Sequence, residues 1–91
     1  MNIETILNAV KIDLGITTDK YDERLRQIIQ YSISEIERQG ATLANNLDDA
    51  QIVTMYAVWT WRKREHGEGM PRMLRYALNN RIFQEKIKAK G

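Results

Sequence analysis

The chain has 91 residues, one histidine, no cysteine and a formal net charge of +2, a length that leaves room for one hydrophobic core and no second domain. The lack of cysteine excludes disulfides and thiolate-bound zinc and fits folding in a reducing compartment, no apolar run approaches the roughly 20 residues of a membrane span, and the opening Met-Asn-Ile-Glu does not read as a secretory signal. The charge is unevenly placed: positions 1–61 hold five Lys/Arg against nine acids, a balance of −4, and positions 62–91 hold nine against three, a balance of +6.

Ile3, Ile6, Leu7, Val10 and Leu14 recur at the spacing of one helical face, with Asn2 placed to cap the start and Gly15 to end it. Thr18 and Asp19 then stand as caps for a second helix over 20–39, with Asp22 and Glu23 in its first turn and Gly40 after its end. In that helix Tyr21, Leu25, Ile28, Ile29, Ser32, Ile33 and Ile36 form the inward stripe, and Arg24, Gln27, Glu35 and Arg38 the outward one. A third helix starts at Asp48 and Asp49 and runs to about His66; its apolar residues cover well over half the circumference, as expected of a segment central to the fold or buried against another chain. Gly67 and Gly69 break the chain, Pro71 opens a fourth helix, and Met70, Met73, Leu74, Ala77, Leu78 and Ile82 continue its stripe. Beyond Ile82 the pattern loosens into a lysine-rich end that reads as a flexible basic tail. With no period-two alternation and no hairpin signal, the predicted fold is all-α, a bundle of about four helices over 1–82 with a tail over 83–91 and a core built on Leu25, Ile29, Ile36, Val53, Tyr56, Trp59, Leu74 and Leu78.

The run Trp59-Thr60-Trp61-Arg62-Lys63-Arg64-Glu65 interleaves aromatics and bases. Such a mixture stacks bases and neutralises phosphates; the plainer reading is core aromatics followed by a cationic last turn that suits the negative end of a helix. Arg72, Arg75 and Asn79 lie at i, i+3 and i+7 and form a basic ridge suited to phosphate or an acidic protein surface, or simply a solvated face. His66 beside Glu65 and Glu68 is too little for a metal centre, which needs three or four converging ligands. Asp48-Asp49 and Glu35-Glu37 read as capping and solubilising pairs, not as a general acid and base. Met55, Met70 and Met73 fill gaps in a core or adaptable surfaces between subunits. No constellation supports an enzyme or a cofactor.

The order of parts, a short leading helix, then DERLRQIIQYSISEIER, DAQIVTMYAVWTWRKRE and the Pro-led MPRMLRYALNNRIFQEK, resembles the small head-tail connector (adaptor) proteins of tailed bacteriophages over nearly the whole chain. The resemblance implies a helical protein of the virion, made in the host cytoplasm. It would assemble as a ring of about a dozen copies under the portal, extend the channel through which DNA passes without sequence recognition, and meet a head-closure or tail protein on the other side. Helices 2 and 3 would supply ring contacts and the segment from Phe83 to Gly91 the arm toward the portal. On this reading Trp61, Arg62, Arg64, Arg72, Arg75, Arg81, Phe83, Lys86 and Lys88 are the candidate subunit or portal contacts. The residues themselves fit a heterologous closing interface, with an acidic segment facing a basic one, and the isolated chain is expected as an oligomer or as a monomer that assembles on a portal. The competing reading is a small nucleic-acid-binding module using Arg62, Lys63, Arg64, Arg72, Arg75 and the lysine-rich end. Against it stands the absence of a helix-turn-helix, since 67–71 joins helices of unsuited length.

Overall fold

In a computed structural model that describes residues 1–90, side chains of Glu65 and Lys90 excepted, the chain forms four helices: α1 (Ile3–Leu14), α2 (Asp22–Arg38), α3 (Leu47–His66) and α4 (Arg72–Lys90). The all-α bundle read from the sequence is the fold observed. None of the helices is long and apolar enough to cross a membrane.

α1 begins as its sequence dictates. Asn2 Oδ1 accepts from the N–H groups of Glu4 and Thr5 at 3.0 and 3.3 Å, satisfying two of the donors that a helix start leaves open. Gly15, at φ 70°, ends the helix in the left-handed conformation that glycine adopts without a Cβ penalty. The expected caps Thr18 and Asp19 do not cap α2. The chain spends one more turn there, Asp22 N–H donating to Asp19 O at 3.2 Å, and the helix starts after Tyr21 with no side-chain cap. The acids Asp22 and Glu23 in the first turn still offset the exposed N–H dipoles. α3 is capped by Asn46, whose Oδ1 accepts from Asp49 N–H at 2.8 Å, rather than by Asp48 or Asp49.

α3 occupies the centre and packs against all three other helices; α1 and α2 also pack on each other, whereas α4 packs chiefly on α3. The apolar surround of α3 therefore has an explanation inside one chain. The core runs from Ile6, Leu7 and Val10 through Leu25, Ile28, Ile29 and Ile36 to Val53, Tyr56, Ala57, Leu74 and Leu78. Of the predicted core only Trp59 departs, being half-buried at the rim. Three hydroxyls enter the interior, and each donates to the carbonyl four residues back: Ser32 to Ile28, Thr54 to Ala50 and Thr60 to Tyr56, all at 2.8 Å. A buried hydroxyl left without a partner would destabilise by about 1–3 kcal/mol. Between α1 and α2, Arg26 grips Glu4 with two bonds of 2.9 and 3.0 Å, and Lys11 reaches Asp22 at 2.8 Å.

The segment expected as a tail, 83–91, is the second half of α4 as far as Lys90; Gly91 lies outside the described residues. Its anchor is polar. Asp49, only 1% exposed, receives Arg81 Nε at 2.8 Å and Nη2 at 3.3 Å, and also the Ala44 N–H at 2.7 Å. Arg81 Nη2 continues to Thr42 O at 2.6 Å, while Glu85, one turn on, takes the Thr42 N–H at 2.6 Å. Two successive turns of α4 are thereby fixed to the α2–α3 connection. The burial that would raise the Asp49 pKa is outweighed by the Arg81 and Ala44 hydrogen bonds, which hold it below its ordinary value.

Two outcomes follow. Arg81→Met leaves a buried carboxylate without its cation and is expected to destabilise the fold by about 3–5 kcal/mol in denaturant unfolding at pH 7; a change within about 0.5 kcal/mol would contradict the assignment. A carboxylate with a depressed folded pKa contributes stability above its unfolded value, about 3.9, and loses that contribution as pH falls through the folded one. Wild-type stability should therefore decline below about pH 4, and Asp49→Asn should flatten that decline while lowering stability at pH 7.

Candidate assembly surface

The residues singled out from the sequence separate into three places. At the end of α3, Trp59 is committed within the chain. It meets Tyr56 edge-on at 5.4 Å, its Nε1 donates to Glu68 O at 3.1 Å, and Lys63 Nζ sits 4.2 Å from its ring centre. A ring held this way offers little face for stacking a base. Trp61 is half-buried on the other side of the helix, edge-on to Tyr21 at 5.7 Å. Arg62 is exposed and donates weakly to Asp13 O at 3.4 Å. Tyr21, Arg24, Trp61 and Arg64 together line a shallow cleft of about 380 Å³. Tyr21 and Arg24 were not legible as partners of Trp61, because 40 residues separate Tyr21 from Trp61 and Tyr21 fits the inward stripe of α2 by spacing alone.

Arg81, expected as an intersubunit contact, is instead the interior cation that pairs with Asp49. The guanidinium is 14% exposed and engaged by Asp49, Thr42 and Glu85 within the chain. The physical reason lies in helical geometry: Leu74, Leu78 and Arg81 share the face of α4 turned to α3, so Arg81 points inward with them.

The outward side of α4 is different. Arg72, Arg75, Lys86 and Lys88 are exposed and form no ion pair among the described residues. Phe83 is 61% exposed, and it has company: Met73 at 78%, which the sequence offered as an alternative surface between subunits, and Tyr76 at 72% and Ile87 at 55%, which it did not single out. Met73 was assigned to the inward stripe by its place between Met70 and Leu74, yet it is mostly exposed, at the rim of a cleft shared with Met55, Val58 and Trp59 of α3. The only acid on α4, Glu85, is occupied; the Thr42 N–H and Arg81 hold its carboxyl below the usual range. The free surface of this helix is therefore apolar and cationic with no compensating carboxylate.

Much of the acid surplus of the N-terminal two-thirds lies elsewhere, with Asp13, Asp19, Glu23, Glu37 and Asp48 exposed on the α1–α2 side and at the start of α3. Among the described residues no three His, Asp or Glu side chains gather as metal ligands. The arrangement is suited to adhesion: α4 presents exposed apolar side chains among cations, and most of the exposed acids sit on the other elements. Contiguous exposed apolar side chains of this kind mark interaction sites in soluble proteins.

Because Arg75 and Lys86 do no work inside the fold, Arg75→Gln or Lys86→Gln should change unfolding free energy by under about 0.5 kcal/mol. A loss on the scale of Arg81→Met would show that these side chains hold the fold instead of facing a partner. Compared with protein-family models, curated proteins and solved structures, the chain matches none.

Proposed function

We propose that the chain is a structural subunit of a tailed-phage particle, one copy in a ring beneath the portal that joins head to tail and continues the DNA channel. The observation supporting this reading best is the outward face of α4. Among the described residues it carries the exposed cations Arg72, Arg75, Lys86 and Lys88 and four large exposed apolar side chains, while most of the exposed acids belong to α1, α2 and the start of α3. A closed ring of identical subunits is built from two unlike faces, each meeting the other on the next copy. A small chain with a complete core and surplus adhesive surface suits such a role.

The parts divide differently from the expectation drawn from the resemblance. α3 packs against the other three helices, which supports a reading in which ring contacts come from the outer side of α2 and from the end of α3 that carries Trp61 and Arg64. The portal-facing arm is the distal half of α4, a rigid helix bearing Phe83, Lys86, Ile87 and Lys88. DNA would pass such a ring without sequence readout. The subunit would accumulate in the host cytoplasm and end in the virion, between the portal and a head-closure or tail protein.

The cleft lined by Tyr21, Arg24, Trp61 and Arg64 favours a second reading, a module for single-stranded nucleic acid. Two aromatics beside two guanidiniums supply stacking and phosphate contact.

Electron microscopy and sedimentation of the protein mixed with the portal of its own phage test the first reading. Rings seated on the portal are expected, and a chain that neither binds the portal nor forms rings at any concentration overturns it. For the second, titration with a single-stranded oligonucleotide at low salt should quench Trp61 fluorescence, with affinity falling steeply as salt rises. No binding at low salt removes it.

A further inference from the structure

The exposed apolar residues of α4 are not scattered. Met73, Tyr76, Phe83 and Ile87, with Asn80 between them, follow the spacing 3, 4, 3, 4. At about 100° per residue these five positions fall within an arc of about 80°, nearly opposite the Leu74, Leu78 and Arg81 face that binds α3. This is the a/d seam of a two-stranded coiled coil, with Met73, Asn80 and Ile87 at a and Tyr76 and Phe83 at d.

We infer that this seam is occupied by the α4 helix of a second copy of the chain, parallel and in register. The flanking positions accept that occupant and favour that direction. In the parallel arrangement the flanking positions place Arg72 beside Ala77 of the other copy, and Asn79 beside Gln84, so no like charges are opposed. An antiparallel arrangement centred on Asn80 sets Arg72 against Lys86 and is repelled. The one acid of α4, Glu85, is held by Thr42 and Arg81, so the helix has no free carboxylate to offer, and in its own copy it finds a partner that needs none. Asn80 meets Asn80, the buried polar pair that fixes register and limits the assembly to two strands, and Ile87 at an a position favours the same count.

Space and area are compatible. Each α3 lies on the far side of its own α4, so the two bodies sit outside the pair. Aromatic side chains such as Tyr76 and Phe83 bury about 150–250 Å² each, and with Met73 and Ile87 added, all four more than half exposed, full coverage removes on the order of 1,000 Å² when both copies are counted, the size at which specific interfaces begin. The pairing does not rest on the phage assignment. If that assignment holds, the paired form hides the portal-facing arm until the two copies separate.

The absence of cysteine makes the test direct. Phe83→Cys, oxidised in the full-length protein, should form a covalent dimer because each d position meets its own copy, whereas Arg75→Cys, off the seam, should not. Sedimentation equilibrium should give a reversible dimer, and Phe83→Glu should weaken it by about 30-fold or more, the scale of losing a central anchor, with helix content by circular dichroism unchanged. A chain that stays monomeric at high concentration overturns the proposal. So does a dimer in which Phe83→Cys fails to cross-link while Asn80→Cys succeeds, since that is the antiparallel register. A monomer whose α4 instead binds anionic vesicles, or only another protein, overturns it as well.

Discussion

The structure depends on one buried ion pair. Asp49 sits in the first turn of α3 with almost no exposure, and Arg81 reaches it from α4, 32 residues further on. Burying a carboxylate is unfavourable unless its oxygens are satisfied, and here Arg81 and the Ala44 N–H satisfy both. The pair draws in the α2–α3 connection through Thr42 and, one turn on, Glu85. Replacing such a pair with well-packed apolar residues is often neutral or stabilising. Its value here is directional: it fixes the rotation of α4 about its own axis and so decides which side chains face outward.

That rotation links fold to surface. With Leu74, Leu78 and Arg81 turned to α3, helical geometry leaves Met73, Tyr76, Phe83 and Ile87 on the opposite side. Nineteen residues at about 1.5 Å each make a rod of about 28 Å, a large share of a molecule whose longest dimension is 46 Å. A projecting helix that is apolar on both sides is a poor design for an isolated soluble chain and a good one for a chain that meets a partner. The body formed by α1, α2 and α3 carries most of the buried apolar side chains and supports α4 without needing its outward face.

Most of the fold was legible because local signals and tertiary packing agree. Asn2 and Gly15 bound α1 as their chemistry predicts, and Leu25, Ile29 and Ile36 are buried as their spacing requires. What the sequence hid was long-range and polar. Nothing in the neighbourhood of Asp49 or Arg81 announces that they pair, and both have a ready local explanation, as a cap and as a surface cation. The distal half of α4 was misread for the same reason: its inward anchors are Arg81 and Glu85, which apolar periodicity does not register. Met73 went astray because a methionine beside Leu74 satisfies a loose apolar pattern on either face. Trp59 sits at the rim because its Nε1 must reach Glu68 O, which a fully interior site would deny it.

The account stands or falls on α4 being a fixed helix through its distal half, held by Asp49 and Arg81. Amide hydrogen exchange resolved by residue measures this most directly. It should find protection extending past Phe83 toward Lys88 in the wild-type chain, and Arg81→Met should lose that distal protection well before protection in α1 and α2 declines. Exchange of positions 83–88 at unfolded-chain rates in the wild type would contradict it.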